Sequence, residues 1–226
     1  LNINGKILAD TDWHISDLYA GLIPDLTVVS ATFHRYVIDA NRDPAGQSLY
    51  PGQNTTGLCP LTDFDGNAIW THGGEPTADD VEKRRTSFHA PYHAALAAEV
   101  ARVKAKHGVA IVYDCHSIRS HIPFLFDGTL PDLNIGTDNG RTCDPLIATR
   151  VEAMAQSSRF TSVSNGRFRG GWTTRHYGQP QQGVHAIQME IAQSAYLDSE
   201  SPPWAFSAAK ALSLQQVLAG ILEALT

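Results

Sequence analysis

Two short segments bring acid, base and metal-ligating side chains together at a spacing that matters. In "VYDCHS", Asp114 and His116 stand two residues apart, and in "HAIQMEIAQS" Gln188 and Glu190 do the same. Alternate side chains of an extended chain share one face, so each pair would present its groups together. Strand carboxyl ends are where open α/β sheets place their ligands. His116 fits either a satisfied histidine near a strand end or a metal ligand. A glutamate inside an apolar strand must be paired, metal-bound or shifted in pKa. A structural salt bridge therefore accounts for Glu190 as well as a general base beside a metal-bound water does.

Arginine marks two further segments. "RYVIDANRDP" packs Arg35, Asp39, Asn41 and Arg42 around a short apolar run, a pattern expected of a pocket that holds an anion. "NGRFRGGWTTRHYG" sets Arg167, Arg169, Arg175 and His176 among glycines. Such a donor-rich segment can clamp a carboxylate or polarise a carbonyl, and a solvated loop reads the same way. "TDWHISD" adds Asp12, His14 and Asp17, whose defaults are helix capping and helix surface.

The elements that must position these residues follow from periodicity. "DTDWHISDLYAGL" has helical spacing, with Asp10 or Thr11 as N-cap. "LTVVSATFHRYVIDA" reads as one or two β-rich segments that end in the charge cluster. Residues 44–76 are rich in Gly, Pro, Asn and Thr, the composition of a long ordered loop and a candidate lid. A helix is expected over about 77–107, closed by Gly108, and it leads into the strand "VAIVYDCHS". "CDPLIATRVEAMAQSS" reads as a helix, "FTSVSNGRF" as extended, "VHAIQMEI" as a strand and "SAAKALSLQQVLAGILEAL" as a closing helix. Alternating helices and apolar strands predict one α/β/α sandwich around a mixed, mostly parallel sheet, spanning residues 1–226.

Composition narrows the function. A length of 226 residues with 42 % hydrophobic content suits one core with a cleft. A net charge of -6 without a basic block argues against nucleic acid or an anionic membrane as partner. The oligomeric state stays open. Cys59, Cys115 and Cys143 are odd in number and form no C-x-x-C pair, which points to a reducing, cytoplasmic setting. No apolar run reaches the length of a membrane span.

Taken in order, "DTDWH", "RYVIDANRDP", "SLYPGQNTTGLCP", "PYHAALAAE", "CHSI", "LFDGTLPDLNIGT", "NGRFRGGWTTRHYG" and "HAIQMEIAQSAYLD" resemble the N-formylglutamate amidohydrolase family, in particular its deformylases of histidine degradation. The resemblance extends to zinc carboxypeptidases and aspartoacylases, and it implies a phosphorylase/hydrolase-like α/β/α fold with one zinc ion. It implies that Asn41 and Arg42 grip an α-carboxylate, that Arg35 stabilises an oxyanion or binds a second carboxylate, and that Arg175 and His176 contact substrate. Asp39 and Asp114 would support the site from behind, His116 would ligate the metal, and Glu190 would be the base.

The resemblance also implies a Pro-His-x-Gly segment upstream of "DTDWH", whose histidine would be the first ligand, and these 226 residues lack it. Asp12 is the expected carboxylate ligand, ahead of Asp17 and His14. A fragment of a competent enzyme and a chain that has lost its metal site are the two resulting expectations. The implied reaction is metal-dependent hydrolysis of N-formyl-L-glutamate, a small dicarboxylate amide. Hydrolysis of another N-acyl amino acid and metal-free dicarboxylate binding are the alternatives.

Overall fold

The computed structural model describes residues 1–48 and 50–226. Two short helices, α1 (Ile3–Ile7) and α2 (Ile15–Tyr19), precede a long stretch whose described residues form neither helix nor strand. Then come α3 (Ala78–Arg84), a π turn (Arg85–His89) and α4 (Ala90–His107). The order continues as β1 (Ala110–Ile118), β2 (Leu133–Gly136), α5 (Pro145–Gln156), β3 (Ser162–Ser164), α6 (Trp172–Tyr177), β4 (Val184–Ala192) and α7 (Ala208–Glu223).

The four strands form one sheet in the order β1-β4-β2-β3. β1 pairs with β4 and β2 with β3 in parallel, while β2 and β4 are antiparallel. The result is the expected mixed, mostly parallel sheet. All nine residues of β4 are buried, in keeping with its mostly apolar run, in which Glu190 is the one acidic side chain. Its pairing with β1 sets His116 opposite Glu190.

Each face carries helices. Ile187, Met189 and Ile191 pack on one face with Val151 of α5 and Leu214, Leu218 and Ile221 of α7. The buried positions 211, 214, 218, 221 and 222 of α7 recur at the three- and four-residue spacing of a single apolar stripe. On the other face Val112 and Ala186 meet Tyr177 of α6 and Leu96 and Val100 of α4. The sheet is thus the middle layer of three.

Several local expectations change. The predicted β segments over residues 26–40 contain no strand; Tyr36 and Ile38 are buried one at a time from a coil. The β-branched residues that suggested a strand include Val28, which is exposed. Tertiary bonds shape this segment, among them the Asp39 N–H donating to the Leu58 carbonyl.

The opening helix is shorter than expected. His14, not Asp10 or Thr11, occupies the cap position of α2, in the left-handed region at φ 56°. The long helix over 77–107 is interrupted by the π turn. Pro91 has no N–H to give, and just ahead of it the Ala90 N–H donates to the Arg85 carbonyl. Gly108 closes α4 in the left-handed conformation, as expected.

The helix also fastens the coil that carries the charge cluster. Arg84 donates to the Val37 carbonyl (2.9 Å), the His93 ring to that of Ala40 (2.8 Å) and the His89 ring to that of Arg42 (3.1 Å).

Candidate active site

A cleft of about 590 Å³, its open mouth included, lies over the carboxyl ends of β1 and β4. Its lining includes Arg35, Asn41, Arg42, His116, Arg167 and Glu190. Residues 44–76 contribute Tyr50, Asn54, Thr55, Thr56 and Phe64, so part of the long loop forms its outer wall. The Tyr50 hydroxyl donates to the Gly170 carbonyl (3.0 Å) and joins that wall to the Gly-rich segment. Leu49, within the candidate lid, lies outside the described residues.

β1 supplies His116 and Asp114 on one face, as alternation requires. His116 Nε2 is 3.0 Å from Asp114 Oδ1, and Nδ1 is 3.4 Å from Asp12 Oδ1. Burial disfavours a charged ring here, but Asp114 and Asp12 outweigh it and raise the His116 pKa well above the usual value. Two carboxylates thus flank the ring. Asp12 also accepts from the Ser117 N–H (2.8 Å) and from Arg35 (2.9 Å). Its pKa is lowered despite burial, chiefly by Arg35 and then by His116.

The segment Arg35–Arg42 folds back on itself. Asp39 accepts from the Asn41 N–H (2.9 Å) and lies 3.4 Å from Arg35 and 3.5 Å from Arg42. Burial works against the Asp39 charge, yet Arg42 and Arg35 bring its pKa below the usual value. Arg42 is further held by the Thr56 carbonyl (2.8 Å) and hydroxyl (3.2 Å). Asp39 thus organises the arginines, while Asp114 is the carboxylate that backs His116 Nε2.

Asn41 links both halves of the cleft. Its Oδ1 accepts from the Thr173 N–H (2.9 Å), which turns its Nδ2 toward His116 Nε2 at 3.1 Å. A Cβ on Gly171 would collide with this amide, so the close approach requires glycine there. The Gly171 N–H donates to Gln188 Oε1 (2.7 Å), and Gln188 Nε2 donates to Glu190 Oε2 (3.0 Å). Glu190 is buried, and burial raises its pKa to about 7 although His116 pulls it back. A carboxyl poised near neutrality is suited to give and take a proton.

The structure separates the four expected donors of the Gly-rich segment. Arg167 lines the cleft, whereas Arg175 and His176 are not among its lining residues. Arg175 donates to the Gly170 carbonyl (2.9 Å), lies 3.5 Å from Asp138 and stands over the Tyr50 ring. His176 is exposed and stacks on Trp172. Arg169 is exposed as well. Arg175 and His176 lie on α6, a short helix between glycines where composition predicts loop, and it carries them past the cleft. Gln188, which holds Glu190, was visible only as a residue on the same strand face.

The donor set tests the expected metal. Asp12 and His116 are of the right types and adjacent, but no third His, Cys, Asp or Glu among the described residues completes a group able to hold an ion. Catalytic zinc takes three protein ligands and leaves one position open, so the described residues supply part of such a site. His14 and Asp17, the reserve candidates, pair with each other at 3.0 Å, and His14 Nε2 is 3.0 Å from the Trp204 carbonyl oxygen.

Comparison with known proteins adds the context. The model of the N-formylglutamate amidohydrolase family matches residues 4–197. The N-formylglutamate deformylase of Pseudomonas aeruginosa is 46 % identical over 223 residues, 97 % of this chain and 83 % of that protein. That of Pseudomonas putida is 44 % identical, over 97 % of this chain and 82 % of the relative. The crystal structure of an N-formylglutamate amidohydrolase from Ralstonia eutropha has a TM-score of 0.77 at 24 % identity, covering 99 % of this chain and 85 % of that one. That likeness supports the fold.

Proposed function

The chain belongs to the N-formylglutamate amidohydrolase family, and from that premise we propose that it hydrolyses the formamide of N-formyl-L-glutamate to formate and L-glutamate. The observation that carries this reading is one cleft that holds a carboxyl of pKa about 7, Glu190, together with three arginines able to receive an anionic amide. Kinship with zinc carboxypeptidases and aspartoacylases, a place in histidine degradation, and a cytoplasmic setting that keeps the three cysteines free belong to the same proposal. No helix among the described residues is long and apolar enough to cross a membrane.

In this mechanism Asn41 and Arg42 take the α-carboxylate, fixed in place by Thr173 and Thr56. Arg35, braced by Asp12 and Asp39, faces the oxygen on which negative charge develops. Glu190 takes a proton from the attacking water as the C–O bond forms. It returns that proton to the amine as the C–N bond breaks. Gln188 holds the Glu190 carboxyl in one orientation throughout.

One zinc ion is part of the proposal, with Asp12 and His116 contributing to its coordination. When bound, it would supply Lewis acidity at the reacting carbonyl. A histidine would ligate the ion as the neutral ring, so zinc affinity measured by calorimetry should rise with pH.

The deciding experiment is formate release from N-formyl-L-glutamate by this 226-residue chain, with zinc and with chelator, alongside Glu190→Gln. The expected result is zinc-dependent release, a kcat in the variant lower by roughly 10²- to 10⁴-fold, and a KM within a few fold of the parent. Undiminished turnover by Glu190→Gln would remove Glu190 as base. Faster release of acetate or succinate from the matching acyl-glutamates would change the acyl group. The incomplete donor set favours one second reading, metal-free dicarboxylate binding; glutamate binding that ignores chelator, without turnover, would select it.

A further inference from the structure

Three arginines line the cleft, and two of them already have carboxylate partners. Arg35 is met by Asp12 and Asp39, and Arg42 by Asp39 at 3.5 Å. Arg167 differs. Among the described residues no acidic side chain forms an ion pair with it. Two backbone carbonyls hold it instead, that of Leu125 at Nε (3.0 Å) and that of Asn54 at Nη2 (3.1 Å). Its guanidinium carbon stands 5.4 Å from the centre of the Tyr50 ring and 5.3 Å from that of Phe168.

This is a receptor geometry. Carbonyls and rings stabilise a cation in part and fix its plane, yet a half-buried guanidinium with no carboxylate at ion-pair distance remains under-compensated. An incoming carboxylate can take charge-assisted bonds from such a group without displacing a protein acid. Burial lowers the Arg167 pKa, and nearby Arg42 adds to this while Tyr50 and Glu190 act in the opposite sense.

We propose that Arg167 is the receptor for the second, side-chain carboxylate of the substrate, and so sets the preference of the cleft for dicarboxylic over neutral N-acyl amino acids. The assignment rests on the hydrolase reading of the same cleft. It divides the work: Asn41 and Arg42 hold one carboxylate, Arg167 holds the other, and Arg35 is left for the reacting centre.

The test compares N-formyl-L-glutamate with N-formyl-L-glutamine, nearly equal in shape but neutral at the distal end, in the parent and in Arg167→Met and Arg167→Lys. Removing a charge-assisted bond should cut kcat/KM for the glutamate substrate by about 50-fold in Arg167→Met while moving that for the glutamine substrate less than about threefold. Arg167→Lys, which keeps the charge but not the fork, should recover part of the loss. An equal fall on both substrates, or none on either, would overturn the assignment. Calorimetric binding of L-glutamate and L-glutamine separates this from failure of the hydrolase reading. Glutamate binding lost in Arg167→Met, from a parent that releases no formate, would retain the receptor and discard the reaction; binding equal in parent and variant would discard the receptor.

Discussion

Arg35 and Arg167 stand in one cleft, yet their charges are met in opposite ways. The wall that carries Arg35 and Arg42 is built as a closed electrostatic unit. Asp39, almost fully buried, lies between both guanidinium groups, and Asp12 takes a further bond from Arg35. The opposite wall offers Arg167 only carbonyl oxygens and ring faces. The first arrangement fixes geometry at the reacting end, where a developing charge rewards preorganised donors. The second leaves charge available for a ligand. A count of arginines near a cleft therefore says less than a count of arginines whose carboxylate is already present.

The largest expected break in this comparison is in stability. Arg35→Met would remove the cation that Asp12 and Asp39 share, leaving Asp39 to Arg42 and Asp12 to His116, and should cost about 3 kcal/mol in denaturant unfolding. Arg167→Met removes a cation that has no acid partner and should cost less than about 1 kcal/mol. Equal losses would erase the distinction.

A smaller effect sharpens it. In a double-mutant cycle, Asp39→Asn should recover about 1–2 kcal/mol of the Arg35→Met loss, because the carboxylate then balanced by Arg42 alone goes with it. Additive losses would mean that the pair is not coupled.

The smallest effect concerns how the first wall is fastened. Burial lowers the His93 pKa to about 4 from its usual value near 6.5. Between those values the unfolded chain binds the proton and the folded one does not, so stability falls as pH drops from 6.5 toward 4 and is flat with respect to this group below that. At pH 5 the loss should be of order 1 kcal/mol. His93→Gln, read by thermal melts from pH 7 to 5, should flatten the slope; an unchanged slope would remove His93 as its source.

How much of this was legible in the sequence depended on whether periodicity or tertiary contact decides the answer. β1 and β4 were readable because apolar runs bounded by turn residues must be buried strands, and alternation then placed His116 with Asp114 and Glu190 with Gln188. β2 was missed: "LNIG" is four residues long, with an asparagine and a glycine, and owes its extended form to pairing with β3 and β4.

The charge cluster was readable as a cluster but not as coil. Its β-branched neighbours argue for a strand, while the Asp39 turn and the bonds from α4 hold something else. The Gly-rich segment shows the same limit within the site. Arg167 lines the cleft and α6 carries Arg175 past it, whereas composition gives Arg167 and Arg175 the same weight.

The π turn has a consequence in helical phase. Arg84, His89 and His93, the three side chains that bond the coil of Val37–Arg42, are spaced five and four residues apart. On an unbroken α-helix a five-residue step leaves two side chains about 140° apart, so Arg84 and His89 would face different neighbours. The wide turn over Arg85–His89 absorbs the extra residue and brings all three onto one line. The cleft wall is thus indexed to the helix like a key with unevenly cut teeth. Winding this turn as regular α-helix without removing a residue would rotate Arg84 away from Val37 and loosen the coil that carries Asn41 and Arg42, whereas deleting one residue would restore four-residue spacing and keep the three side chains on one face.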